Sequence, residues 1–264
     1  MTDRSRQLLV TAGAVVMIAG TLFGFGLIGT RVEETAGGSF AADATLLSPA
    51  TRAFSIWSVI YLGLIAYVVW QWLPANTRSP RARRIGWLSA LSMALNGAWL
   101  LVTQAGALWL SVVVIAMLAL TVGQLVRVLG EPRTLTERIV LDGTFGLYLG
   151  WVAVATLANV TAVLVASGID PRPEIAEYWA VAVLALGAGL GVVLARVLGG
   201  RIAVAGAMAW GLFWIAVGRL IGEPRSDLTG VAAAVAATVV LAAAALVQLR
   251  RKTWRPVLER ASRG

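Results

Sequence analysis

The 264-residue chain contains no cysteine and no histidine, and its one lysine, Lys252, lies in the C-terminal tail outside every apolar run. Without cysteine there is no disulfide, no thiolate nucleophile and no thiolate metal site. Without histidine there is no imidazole base and no histidine-ligated metal or haem. The position of Lys252 excludes a Schiff base inside the membrane. Charge is also scarce, at 13% of residues against the roughly 25% of soluble domains.

What fills the chain instead is apolar, 59% of residues with a mean hydropathy of +0.82. This is the composition of an integral membrane protein. The net charge of +9 falls in short clusters between apolar runs. That distribution marks topology, with anionic lipid headgroups as partners and no nucleic acid.

Eight runs are long enough to span a bilayer as helices, over 8–30, 53–73, 87–105, 107–129, 139–166, 178–198, 202–221 and 228–249. The first is too long for a signal-peptide core. The expected fold is therefore an all-α membrane protein of eight transmembrane helices. The polar segment 31–52 is the longest loop, and the uncharged link Gln104-Ala105-Gly106 joins helices three and four as a hairpin. An even number of spans puts both termini on one side. That side carries seventeen Lys and Arg against five opposite, so both termini are expected in the cytoplasm.

The most informative run is 145–160, FGLYLGWVAVATLANV, in which Tyr148, Trp151, Ala155 and Asn159 fall on one helical stripe. Lipid offers a phenol, an indole or an amide no partner, so this stripe should face other helices. Phe54, Trp57 and Tyr61 share a face of the second helix, and Asn96 and Trp99 lie three apart on the third. A rise of about 1.5 Å per residue sets Trp57 and Trp99 roughly 6–9 Å below the end opposite the termini, Tyr61, Asn96 and Asn159 roughly 10–14 Å, and Trp151 near 22 Å. These residues are expected to meet in the outer half of the membrane beneath the 31–52 loop, which is placed to serve as a lid. Any one of them taken alone suits packing better than ligand contact; grouped at matching depths they favour a pocket. Trp70 and Trp72 precede Pro74 and read as interfacial anchors, while Arg196 and Arg219 sit near helix ends where they can snorkel. Asp142 is the main acidic residue inside an apolar run; it reads as structural, near a helix N-terminus and four residues from Arg138, rather than as a proton or cation path.

Tyr148-x2-Trp151-x3-Ala155-x3-Asn159 resembles the fifth-helix pattern of the translocator protein family, also called tryptophan-rich sensory proteins or TspO. Trp57-x3-Tyr61 and Asn96-x2-Trp99 resemble its second- and third-helix motifs. The likeness covers roughly 1–166. A Trp-Tyr and a Lys-Pro pair common after the first helix of the family are replaced by RVEETAGGSFAADATLLSPATRAF, and Leu147 stands where a proline often precedes the tyrosine. The resemblance implies a five-helix bundle over 1–166, with three further helices over 167–249 and a basic cytoplasmic tail over 250–264, in a longer bacterial branch of the family residing in the cell membrane. It also implies homodimerisation and binding of tetrapyrroles such as porphyrin or haem, with cholesterol-type and drug-like ligands known for the family. Porphyrin breakdown in some members is linked to residues that match Trp57 and Trp151.

These readings converge on a sensor or carrier that binds a hydrophobic planar ligand through Trp57, Tyr61, Asn96, Trp99, Tyr148, Trp151, Ala155 and Asn159. The indoles would stack on a flat ring and the amides of Asn96 and Asn159 would meet its polar edge. Without histidine, metal-free porphyrin is favoured over haem, and no cofactor is obligatory. No base, metal site or paired carboxylates stand in the cluster, so no enzymatic reaction is assigned. A small-molecule transporter and a structural protein without ligand are the alternatives. The small-residue faces around Gly187, Gly191 and 242–245 suit tight helix packing within the bundle or between protomers.

Overall fold

The computed structural model describes residues 2–24, 26, 28 and 32–261, apart from the side chains of 32, 33, 36 and 252–261. Among the described residues eight long apolar helices make up the fold: α1 (Asp3–Gly24), α2 (Ile56–Trp72), α3 (Pro80–Gln104), α4 (Leu108–Val128), α5 (Leu135–Ala166), α6 (Pro173–Val197), α7 (Ile202–Ile221) and α8 (Asp227–Ala261). Each is long enough to cross a membrane, α2 together with the 3₁₀ turn Thr51–Ser55 that leads into it. Of the last residues expected in the first helix, 25, 27, 29 and 30 lie outside the described part.

Most differences from the expected spans are at helix starts. α3 begins at Pro80, seven residues before the apolar run. The Ser79 hydroxyl accepts from the Ala82 amide and Pro80 takes the first turn, the position where a missing N–H costs nothing. α6 likewise opens on Pro173. α5 is capped by Thr134, whose hydroxyl accepts from Glu137 N, and passes through a π-helical turn at Arg138–Gly143 before the regular stretch Thr144–Ala166.

The first five helices close into a ring in the order α1, α3, α4, α5, α2, and α7 packs on the outside of α5, α8 on α7 and α6 on α8. Between helices in lipid no hydrophobic drive exists, so approach distance decides the packing, and small residues set it. Gly20 of α1 faces Gly97 of α3, where a Cβ on Gly20 would fall 2.6 Å from Gly97 Cα. Gly146 and Gly150 of α5 admit Ala203, Val204 and Ala207 of α7 in the same way. Gly187 rests on the Leu157 side chain and Gly191 on Val240, so both of these small faces are used inside the bundle.

At the end that carries the termini, a buried ionic cluster joins three elements. Arg81 donates to Asp142 (2.7 Å), to Glu137 (3.4 Å) and to the Leu129 carbonyl, and Arg201 holds the other Asp142 oxygen. Asp142 is thus structural as expected, but its partners are these two arginines, contributed by α3 and by the turn before α7, rather than Arg138. Trp72 stays at the surface, donating to Thr11 Oγ1 with Arg4 over its ring. Trp70 turns inward, buried and stacked on Tyr67, so only one of the two anchors is interfacial.

Candidate functional site

The opposite half of the ring holds the aromatic and amide residues. Trp57, one residue into α2, stacks on Tyr61 one turn later with ring centroids 5.1 Å apart and planes 22° from parallel. Its edges meet two rings of α5, Tyr148 at 6.0 Å and Trp151 at 6.2 Å. The spacing of Tyr148 and Trp151 along α5 therefore brings both against the α2 pair. From α3, Asn96 Oδ1 accepts from the Tyr61 hydroxyl at 3.0 Å. Tyr148 donates to the Ser92 carbonyl at 3.0 Å, tying α5 to α3.

A second hydrogen-bonded group lies nearer the loop end. Trp99 Nε1 donates to Asn159 Oδ1 at 3.0 Å, and the Asn159 amide donates to Ser111 Oγ of α4 at 3.1 Å. The Asn159 oxygen and one of its N–H groups are thus engaged by protein, and the amide joins α3, α4 and α5. Ala155 sits half-buried on the same stripe, packed against the core.

Two donors in the cluster are different. Asn96 Nδ2 and Trp151 Nε1 are buried and have no partner among the described residues, on residues 0% and 1% exposed. A buried N–H without an acceptor costs about 1–3 kcal/mol, and these two stand on facing helices beside the stacked rings.

The segment before α2 covers the cluster. Phe40 meets Trp99 edge-on at 6.2 Å, and Phe54, in a 3₁₀ turn at Thr51–Ser55, meets Trp151 at 5.7 Å. With this cover in place Trp57 and Trp99 are only 7% and 8% exposed, so the site is closed. Sequence reasoning put Phe54 on the face of Trp57 and Tyr61 without counting it in the site, and missed Phe40, Ser92 and Ser111. Ser111 had a signal, a hydroxyl in an apolar run about one turn from the hairpin, at a depth matching Trp99. Ser92 takes part through its carbonyl, which no side-chain pattern reveals.

Arg219 was also missed as part of the cover. It does not snorkel: it is 1% exposed and donates to the carbonyls of Ala42 and Thr45 in the covering segment.

A ring of five membrane helices encloses a tryptophan-tyrosine-asparagine cluster, covered by the loop between its first two helices, in a multi-pass membrane protein. The family model of the TSPO-like proteins matches residues 7–247, and the chain belongs to that family of membrane proteins. The match runs through α6, α7 and most of α8 as well as the ring. No curated protein and no solved structure matches the chain.

Proposed function

We propose that this protein is a sensor or carrier that binds a hydrophobic planar molecule, a metal-free porphyrin or similar tetrapyrrole, between α2, α3 and α5. The observation that carries this reading is the pair of unpartnered buried donors, Asn96 Nδ2 and Trp151 Nε1, set among the rings of Trp57, Tyr61 and Tyr148. The indoles supply stacking faces and the two N–H groups supply hydrogen bonds to oxygens at the ligand edge, the combination expected of a site for a flat, mostly apolar molecule.

Porphyrin is expected to quench tryptophan fluorescence of the purified protein at low micromolar concentration. Micromolar affinity needs only about 8 kcal/mol, and stacking of a planar ring contributes roughly 1–3 kcal/mol per contact. Trp57→Ala and Trp151→Ala should each weaken binding about tenfold, the equivalent of one such contact. Trp254→Ala, in the tail, should leave the titration unchanged. Equal binding by all three variants would mean that porphyrin dissolves in the apolar surface, and the reading would fail.

The same reading places the chain in a bacterial plasma membrane with both termini in the cytoplasm, supported by the seventeen-to-five division of basic residues. A reporter fused after Gly264 should be active only on the cytoplasmic side, and cysteines introduced into 31–52 should label from outside. Reporter activity on the far side of the membrane would reverse the orientation.

A further inference from the structure

The cluster is covered from solvent, so a ligand enters only if something moves, and the ring helices are held by backbone hydrogen bonds and glycine contacts. The covering segment is not: residues 41–50 form turns and bends without a helical ladder. This segment touches the site at both ends, through Phe40 on Trp99 and Phe54 on Trp151. Between those contacts it is fastened to α7, a helix outside the ring. Arg219 donates to Thr45 O at 3.0 Å and Ala42 O at 2.9 Å, Ala50 N donates to Trp214 O at 3.1 Å, and Trp210 Nε1 donates to Ala53 O at 2.9 Å. Gly218 makes the approach feasible, since a Cβ there would stand 3.4 Å from Ala50 N.

We propose that this seam between α7 and residues 42–53, with Arg219 as its latch, is the gate of the ring site: releasing the latch admits the ligand. The guanidinium is suited to a two-position device. The acceptors of its Nη atoms are backbone carbonyls, two on the cover and one on Glu223 of its own helix end, while its Nε has none. When the cover lifts, Arg219 exchanges two carbonyls for water and keeps the third, so neither position strands a buried charge. The gate thereby gives a helix outside the ring control over a site to which it contributes no ligand contact.

The proposal rests on the ring cluster being a binding site, and its test keeps the two ideas apart. Ala155→Cys places the one thiol of an otherwise cysteine-free chain on the site stripe. Its labelling by a small maleimide in detergent should accelerate about tenfold or more when Arg219→Gln is added, the change expected from losing one charged hydrogen bond of the closed state. An unchanged labelling rate would overturn the gate without involving any ligand. Should Arg219→Gln fold poorly, the opposite variant serves: Ala50→Cys with Gly218→Cys. A Cβ on Gly218 lies 3.7 Å from Ala50 Cβ, within the range a disulfide needs. Oxidised, this pair should slow porphyrin quenching at least tenfold, with the rate restored by dithiothreitol. Equal rates in both redox states would overturn the gate, whereas accelerated labelling of Ala155→Cys in a protein that binds no porphyrin would uphold the gate and reject the ligand.

Discussion

Gly97→Ala is expected to remove the cooperative thermal unfolding transition of the detergent-solubilised protein, although it adds a single methyl group. A Cβ at 97 would lie 2.5 Å from Val16 O and 2.9 Å from Val16 C, backbone atoms of α1 that no rotamer change can clear. The seam it would wedge apart is long, running from Gly13 against Ala90 through Gly20 against Gly97 to Gly24 against Leu100. Overpacking a rigid contact costs about 1–3 kcal/mol or more, and here it falls on the contact that holds α1 in the ring. The helix itself would gain up to roughly 1 kcal/mol from replacing glycine, so the loss measures packing alone. Gly189→Ala supplies the comparison, because a Cβ there meets no atom within 4 Å and the variant should be as stable as the parent or slightly more so. Intrinsic tryptophan fluorescence during heating reads both. A Gly97→Ala transition within a degree or two of the parent would show that α1 and α3 are not held by this contact.

The number and type of helices were legible because a 20-residue apolar run is its own signal. The helix starts were not legible. Arg81 and its neighbours made 74–86 read as loop, whereas α3 begins at Pro80 and buries Arg81 against Glu137 and Asp142, more than fifty residues further along the chain. Hydropathy counts such a charge as exposed because its neutralising partners are invisible until the helices are assembled. The site shows the same division. Spacing of three and four put Tyr148 and Trp151 on the stripe that meets Trp57, and Asn159 on the stripe that meets Trp99. Spacing does not say which polar atoms are already engaged, so Asn96 and Asn159 looked equivalent, while in the fold Asn159 binds Trp99 and Ser111 and Asn96 keeps a free donor. Arg219 was misread for the same reason as Arg81: its partners are backbone carbonyls, which carry no sequence signature.

Asp142→Asn is expected to destabilise the protein by about 3–5 kcal/mol while leaving porphyrin quenching intact. The carboxylate bridges Arg81 and Arg201, and both guanidiniums also donate to the Gly130 carbonyl, so the three elements they come from converge on one point. Removing one partner of a buried ionic group leaves the others desolvated and unpaired, a loss that usually exceeds anything the intact group contributed. In this case the remaining carboxylate, Glu137, stands 3.4 Å from Arg81 and cannot serve Arg201 as well. Asp227→Asn is the matched control, since Asp227 pairs with Arg225 at 3.3 Å with both side chains exposed, and its loss should cost no more than about 1 kcal/mol. Trp151 lies nine residues further along the same helix as Asp142, about 13 Å away by rise, which is why binding should survive the change. A carboxylate serving a proton or cation path would give the opposite pattern: Asp142→Asn would keep the thermal transition of the parent, because neutralising such a group removes a charge that the fold does not depend on.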